Sequence, residues 1–277
     1  MEVKWLIQKY SDDMFFSNIQ KILEKNKLEY KIIDDIFFYN KSFDFFDNND
    51  CVVVTGSLNF CRYIQKNKRW IPGVICNFYN FKCSTYYSYF GKYLLNSDYI
   101  MMPILEIERN KDYIFNNFGI DNKIFIRPNS GAKPITGQII DKYNLEKELN
   151  IFAQKAGNDL DKIIVVISTP KNIEKEWRFV VSYKKVINGS QYMEYGEINI
   201  KKHYDPKAKE LAEKIAFEKW EPDRVYTIDI CKTNYGEYFL LEINSFSSSC
   251  LYLCDLDVII PEVSKIAIKE YEEYNLI

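Results

Sequence analysis

Histidine occurs once in this chain, at His203, and arginine only six times among 37 basic residues. One histidine excludes multi-histidine metal sites and leaves any histidine-dependent triad resting on that residue. Chemistry must therefore come from carboxylates, lysines, arginines or a bound metal. The seven cysteines (Cys51, Cys61, Cys76, Cys83, Cys231, Cys250, Cys254) are odd in number and contain no Cys-x-x-Cys pair. That suggests neither a zinc ribbon nor a disulfide scaffold and reads as reduced core thiols. The longest apolar runs, such as Ile163 to Ile167, fall far short of the ~18 residues a membrane helix needs. Met1-Glu2-Val3-Lys4 opens no secretory signal, so the expectation is a cytoplasmic protein with no membrane partner. The net charge of -2 lacks the basic excess of nucleic-acid binders, which argues against a nucleic-acid partner. What the chain does have is apolar mass, 47% hydrophobic and 16% aromatic over 277 residues, enough for one large or two modest domains.

The first third reads as a small α/β unit. Residues 3–7 and Tyr30 to Ile33 are predicted strands, separated by Phe15, Ile19, Ile22 and Leu23 at helical spacing. Cys51 to Thr55 and Val74 to Cys76 add two more short strands, and Tyr99 to Leu105 leads out. Longer strands follow, predicted at 123–127, 163–168, 177–183, 192–200, 225–231 and 238–243, with Asn188-Gly189 and Tyr235-Gly236 as turn signals. Three helices complete the pattern. Asn144 caps one that ends at Gly157, Asp205-Pro206 starts the next with Ala208, Leu211, Ala212 and Ile215 on its buried stripe, and a last one begins at Pro261.

Three constellations carry chemistry. Because lysine is the default cation here, Arg127 at the end of one strand stands out; it precedes a loop, Pro128 to Gly137, that contains Lys133. Two cations around a glycine-containing loop can hold phosphates, although the same pattern also describes a surface hairpin. No GxxxxGK[ST] or GxGxxG motif occurs, so neither a P-loop nor a Rossmann cradle is expected. In Glu176-Trp177-Arg178, alternation puts the acid and the base on one face with Trp177 opposite. The pair is either an ordinary surface ion pair or a carboxylate orienting a phosphate-clamping guanidinium. The third constellation spans two strands joined by a turn. Glu242 and Asn244 share a face, and hairpin pairing can bring Asp229 beside them. Three side-chain oxygens on one patch suit Mg²⁺ shared with nucleotide phosphates. Leu240, Leu241 and Ile243 read as buried, which makes carboxylates there costly unless they are paired or metal-bound.

In chain order these pieces resemble the ATP-grasp superfamily, over about Lys123 to Tyr252, with Asp229…Glu242-Ile243-Asn244 as the strongest part and Glu176-Trp177-Arg178 next. The resemblance implies an α+β fold in which two α+β subdomains grip ATP, occupying 106–277, preceded by a small α/β pre-ATP-grasp domain over 1–105. The usual phosphate lysine is Arg127 here, with Lys133 following in the loop. This resembles the clade, known from phages and bacteria, in which that lysine has migrated and arginine holds its old place. By resemblance Arg127, Lys133 and Arg178 contact phosphates with Glu176 beside them, and Asp229, Glu242 and Asn244 hold Mg²⁺, with Mn²⁺ as a substitute. The backbone of Val165, Val166 and Ile167 would meet adenine. The implied activity is a carboxylate–amine ligase working through an acyl phosphate and releasing ADP and phosphate, with Arg178 and Lys133 catalytic. Its partners would be small-molecule or peptide carboxylates and amines. Ser245 to Ser249, through Tyr252, fall near the acceptor site or form a polar turn. A phosphotransferase acting on a non-carboxylate acceptor, or an ATP-binding module without turnover, remains an alternative.

Overall fold

Alternation decides which way each early strand turns its side chains. The computed structural model describes residues 2–9, 14–34, 45–67, 69–131 and 136–276, leaving aside the side chains of 14–17 and 156–159. β1 (Lys4–Lys9), α1 (Met14–Lys25), β2 (Glu29–Asp34), β3 (Cys51–Thr55), α2 (Leu58–Asn67) and β4 (Ile71–Val74) build a parallel sheet in the order β2-β1-β3-β4. β3 is buried along its whole length: Val52 and Val54 join the core on one face, Cys51 and Val53 the core on the other. Burial on both faces is what an internal parallel strand requires. The strand expected at Val74 to Cys76 lies earlier, at Ile71–Val74. Ile75 leaves it because its amide donates to the Ser247 hydroxyl at 2.9 Å and not to a strand neighbour.

α3 (Cys83–Phe90) leads to β5 (Tyr99–Pro103), α4 (Lys111–Phe118), β6 (Lys123–Pro128), β7 (Gln138–Asp141), α5 (Leu145–Ala156) and β8 (Ile164–Ser168). These strands form a second, antiparallel sheet, β5-β8-β6-β7. Its Ile124, Ile126, Val165 and Ile167 pack with Phe115, Leu145 and Phe152 from the covering helices, while Val166 faces the other way into the large core. α5 passes into a tight turn over Gly157–Lys162.

β9 (Ile173–Ser182), β10 (Lys185–Glu194), β11 (Glu197–Lys201), β12 (Val225–Thr233) and β13 (Tyr238–Ser245) form a third sheet, β11-β10-β9-β12-β13. Two turns differ from expectation. The β9–β10 turn is Tyr183-Lys184, both at positive φ (42° and 62°), whereas Asn188-Gly189 lies inside β10. Gly189 is there for space, since a Cβ would come within 2.4 Å of the Phe179 ring. The single strand expected at 192–200 is two, broken at Tyr195-Gly196 with φ of 51° and 79°. Tyr235-Gly236 does join β12 to β13, with Gly236 at φ 83°.

α6 (Pro206–Ala216) begins as expected: the Asp205 carboxylate accepts the Lys207 amide at 2.8 Å, and Ala208, Ala212 and Ile215 are buried while Leu211 is half-buried. α7 (Leu256–Asn275) starts five residues before Pro261, because Asp255 supplies the cap by accepting the Asp257 amide at 3.0 Å. Its Ile259 and Val263 pack with Trp5 and Val53 of the first sheet and Val180 and Val225 of the third.

Candidate functional site

The site lies where one face of β9, β12 and β13 meets β6. Trp177 and Phe179 of β9 point into the core, which turns Glu176 and Arg178 to the opposite face. Register then sets the neighbours: Asp229 pairs with Arg178 on one side and with Glu242 on the other. Between Asp229 and Ile230 the register shifts, and Leu241 is the extra residue on β13. The bulge lets Leu240 and Glu242, two residues apart, face different ways. Leu240 is fully buried, while Leu241 is only half-buried, contrary to the expectation from sequence.

Arg178 donates through Nε and Nη2 to the two Asp229 carboxylate oxygens at 2.7 and 2.6 Å, and through Nη1 to the Cys250 carbonyl at 2.9 Å. The Asp229 side chain is 0% exposed and that of Arg178 9%. This is a fork-to-fork pair in the interior. From β6, Arg127 reaches across: its Nη2 donates to Glu242 Oε2 at 2.7 Å and its Nη1 to the Leu241 carbonyl at 3.4 Å. Asn244 joins the two pairs, its amide nitrogen 2.9 Å from Glu242 Oε1 and 3.3 Å from Asp229 Oδ2. Burial works against both guanidinium charges, yet the neighbouring acidic groups, Asp229 foremost for Arg178, hold them firmly protonated.

Glu176 shares this face without orienting Arg178, a role that falls to Asp229. Its carboxylate accepts instead from the Tyr192 hydroxyl. Burial pushes the Glu176 carboxyl up to about 7; the Tyr192 hydrogen bond opposes the shift, and the nearby Asp229 and Glu242 charges add to it. Tyr192 is a site residue that sequence reasoning missed, and it stands against Tyr252, which the resemblance had placed near the acceptor side. Their rings stack at 4.7 Å, 4° from parallel, with the Arg178 guanidinium carbon 5.6 and 5.2 Å from their centroids. Tyr192 owes its place to a second bulge: Gln191 pairs with Trp177 and Met193 with Glu176, which leaves Tyr192 as the extra residue. No local signal announces such a bulge.

A cavity of about 130 Å³ opens beside this cluster, lined by Arg127 and Asn244 together with Ser130, Gly131, Ser245 and Ser248. The serine run therefore divides. Ser245 and Ser248 reach the cavity, 2.6 Å apart through their hydroxyls, while Ser247 is buried as a staple between sheets, its carbonyl accepting the Gly56 amide at 2.9 Å. Lys133 lies outside the described residues.

Val165, Val166 and Ile167 lie on β8, an interior strand paired to β5 on one side and β6 on the other, where Val166 stands opposite Arg127 in the register and all three side chains are 0% exposed. Their backbone groups pair within the sheet.

Among the described residues no group of three or more His, Cys, Asp or Glu side chains is arranged to hold a metal ion. The donor set here is different, two carboxylates and an amide. That set fits a hard divalent ion that fills its remaining positions with phosphate oxygens and water.

Residues 109–259 match the model of the ATP-grasp domain, R-2-K clade family 2. The chain belongs to this ATP-grasp family. Solved structures with the same fold include D-alanine–D-alanine ligase from Bacillus anthracis, with TM-score 0.59 and 13% identity over 99% of this chain and 98% of that one. D-alanyl-alanine synthetase A from Vibrio cholerae gives 0.59 and 10%, over 98% of each chain. The ATP-grasp ligase PsnB, complexed with a minimal precursor, gives 0.54 and 11% over 98% of this chain and 100% of that one. At such identities the likeness is one of fold. A search of curated proteins returns no match. Among the described residues, no helix of this ATP-grasp protein is long and apolar enough to cross a membrane.

Proposed function

We propose that this ATP-grasp protein is an ATP- and Mg²⁺-dependent ligase, joining a small-molecule or peptide carboxylate to an amine through an acyl phosphate. The observation that carries the reading is the meeting, across one cleft, of two buried guanidiniums with the Asp229, Glu242 and Asn244 side chains. Phosphoryl transfer needs positioning and charge neutralisation more than a protein nucleophile, and that is what these residues offer. Mg²⁺, or Mn²⁺ in its place, neutralises phosphate charge when bound, and Asp229, Glu242 and the Asn244 carbonyl oxygen would hold it.

Arg127 and Arg178 then face the phosphates, with Lys133 as a third cation and Glu176 beside them. A substrate carboxylate oxygen bonds to the γ-phosphorus as the bond to ADP breaks. The amine nitrogen next attacks the acyl carbon, phosphate leaves, and the amine proton passes to water. Arg178, held on this face by the Cys250 carbonyl and beside two tyrosine rings, stabilises the oxyanion that develops on that carbon. The cavity beside Arg127, with the Ser245 and Ser248 hydroxyls in its wall, is the proposed acceptor side. Adenine recognition falls to the irregular segment 169–172 that leaves β8.

In this proposal residues 106–277 grip the nucleotide and 1–105 supply the preceding domain. The pairing of β5 with β8 favours drawing that line a few residues earlier. The seven free cysteines suit the reducing cytoplasm. Product analysis tests the reaction. With a panel of amino acids and short peptides, ADP release should require a carboxylate, and hydroxylamine should trap a hydroxamate. AMP and pyrophosphate as products, or ADP formed with a hydroxyl acceptor and no trappable acyl group, would replace the ligase reading with an adenylating or kinase one.

A further inference from the structure

A cavity of about 810 Å³ runs along β4, the last strand of the first sheet, and shares none of the residues given a role in the reaction. That volume suits a small organic ligand. Past the end of β4, Asp223 accepts the backbone amides of Asn77 at 3.2 Å and Arg224 at 2.8 Å. The second half of α7 adds Glu270 and Glu273; Arg224 donates to Glu273, and its Nε stands 3.7 Å from Glu270 Oε1. Burial pushes the Glu270 carboxyl up to about 7, with the Asp223 charge adding to the shift, and pushes Asp223 up to about 6. Arg224 opposes both shifts without cancelling them. Before the start of β4 the wall is of the other sign: Arg69 lies with its guanidinium carbon 5.8 Å from the centroid of the Trp70 ring.

Two buried atoms on these walls lack hydrogen-bond partners, and they are of opposite kind. Trp70 is 5% exposed, and its indole N–H donates to nothing; Glu270 Oε1 accepts nothing. Buried polar groups are costly to leave unpaired. An orphan donor beside a guanidinium calls for an anionic acceptor, and an orphan acceptor beside a second carboxyl calls for a cationic donor. We propose that this cavity is a second ligand site, separate from the nucleotide cleft, for a linear zwitterion, an amino acid or short peptide. Its ammonium donates to Glu270 and Asp223, its carboxylate accepts from the Trp70 indole beside Arg69, and its carbon chain lies on Pro72 and Val74. A metal ion is a poorer occupant, because among the described residues no group of three or more acidic, cysteine or histidine side chains is arranged to hold one.

Calorimetry on the full chain tests the site with a ladder of zwitterions of growing length: glycine, γ-aminobutyrate, 6-aminohexanoate, dialanine and trialanine. Hexylamine and hexanoate, which carry one pole each, are the controls. At least one zwitterion should bind with a Kd in the millimolar range or tighter, and both controls should bind it at least about tenfold more weakly, as the loss of one charge-assisted hydrogen bond implies. Glu270→Gln and Trp70→Phe keep most of the shape of their side chains and should each weaken the best zwitterion about tenfold. A non-hydrolysable ATP analogue with Mg²⁺ should leave that affinity unchanged, since the two sites share no residue. Failure of every zwitterion to bind overturns the proposal. So does a single-pole control that binds equally well. Binding that both variants leave untouched puts the ligand elsewhere and overturns it too. Melting temperatures of the two variants close to wild type show that a loss of binding is not a loss of fold, and no outcome depends on the ligase reading.

Discussion

Replacing Arg178 by methionine removes a guanidinium whose Nε, Nη1 and Nη2 all donate, from a carboxylate that is 0% exposed. The remaining Asp229 charge would be buried without its main partner. Breaking one side of such a pair costs about 3–5 kcal/mol, whereas an exposed pair contributes about 0–1 kcal/mol. For a chain of this size about 2–4 °C is lost per kcal/mol, so the melting temperature should fall by roughly 6–20 °C at pH 7. The cause is charge and not volume, because methionine keeps much of the side-chain stem beside the stacked Tyr192 and Tyr252 rings. One further measurement separates these explanations. Arg178→Met combined with Asp229→Asn should recover most of the loss, since an apolar and an amide side chain leave no charge stranded. A single-variant loss below about 1 kcal/mol, or a double variant no better than the single, would refute the buried-pair account.

Glu242→Gln should abolish the rise in melting temperature given by ATP with Mg²⁺, which at a hundredfold excess over Kd corresponds to about 2.7 kcal/mol; an unchanged rise would remove Glu242 from the metal site. Glu176, raised from 4.5 to about 7, binds its proton more tightly folded than unfolded, so stability should fall as pH climbs between those values and level off above. Glu176→Gln should flatten part of that slope, on the order of 1–2 kcal/mol after allowance for partial exposure, while the buried carboxyls of Glu270, also raised to about 7, and Asp223, raised to about 6, keep a share of it. A wild-type slope persisting unchanged in Glu176→Gln during denaturant titrations from pH 4.5 to 8 would contradict the assignment. Gly189→Ala places a methyl 2.4 Å from the buried Phe179 ring and should cost about 1–3 kcal/mol; a neutral effect in urea unfolding would show that the ring has room to move.

Features that rest on a few neighbouring residues were legible in the sequence. Alternation alone sets Trp177 against Glu176 and Arg178, and Ile243 against Glu242 and Asn244. Gly236 supplies the positive φ that folds β12 back on β13, which is why Asp229 lands opposite Glu242. Asp205-Pro206 starts α6 because a capping carboxylate and a residue without an amide hydrogen are both favourable there. The family resemblance rests on the same short motifs.

Only the tertiary structure decided which charges meet. Arg127 and Glu242 are 115 residues apart, and nothing local distinguishes that partner from another acid. Nor does the sequence reveal the bulges at Leu241 and Tyr192, because an extra residue in a strand is a choice between registers, made by what must be buried on each face. Asn188-Gly189 misled for the same reason: the glycine's missing Cβ was needed by the Phe179 ring and not by a turn. The run Ile164 to Ile167 shows a strand, but only its place between β5 and β6 shows that its backbone groups are already taken. Alternation and capping act over a few residues, whereas register and ion pairing are settled by contacts between segments that the chain brings together only on folding.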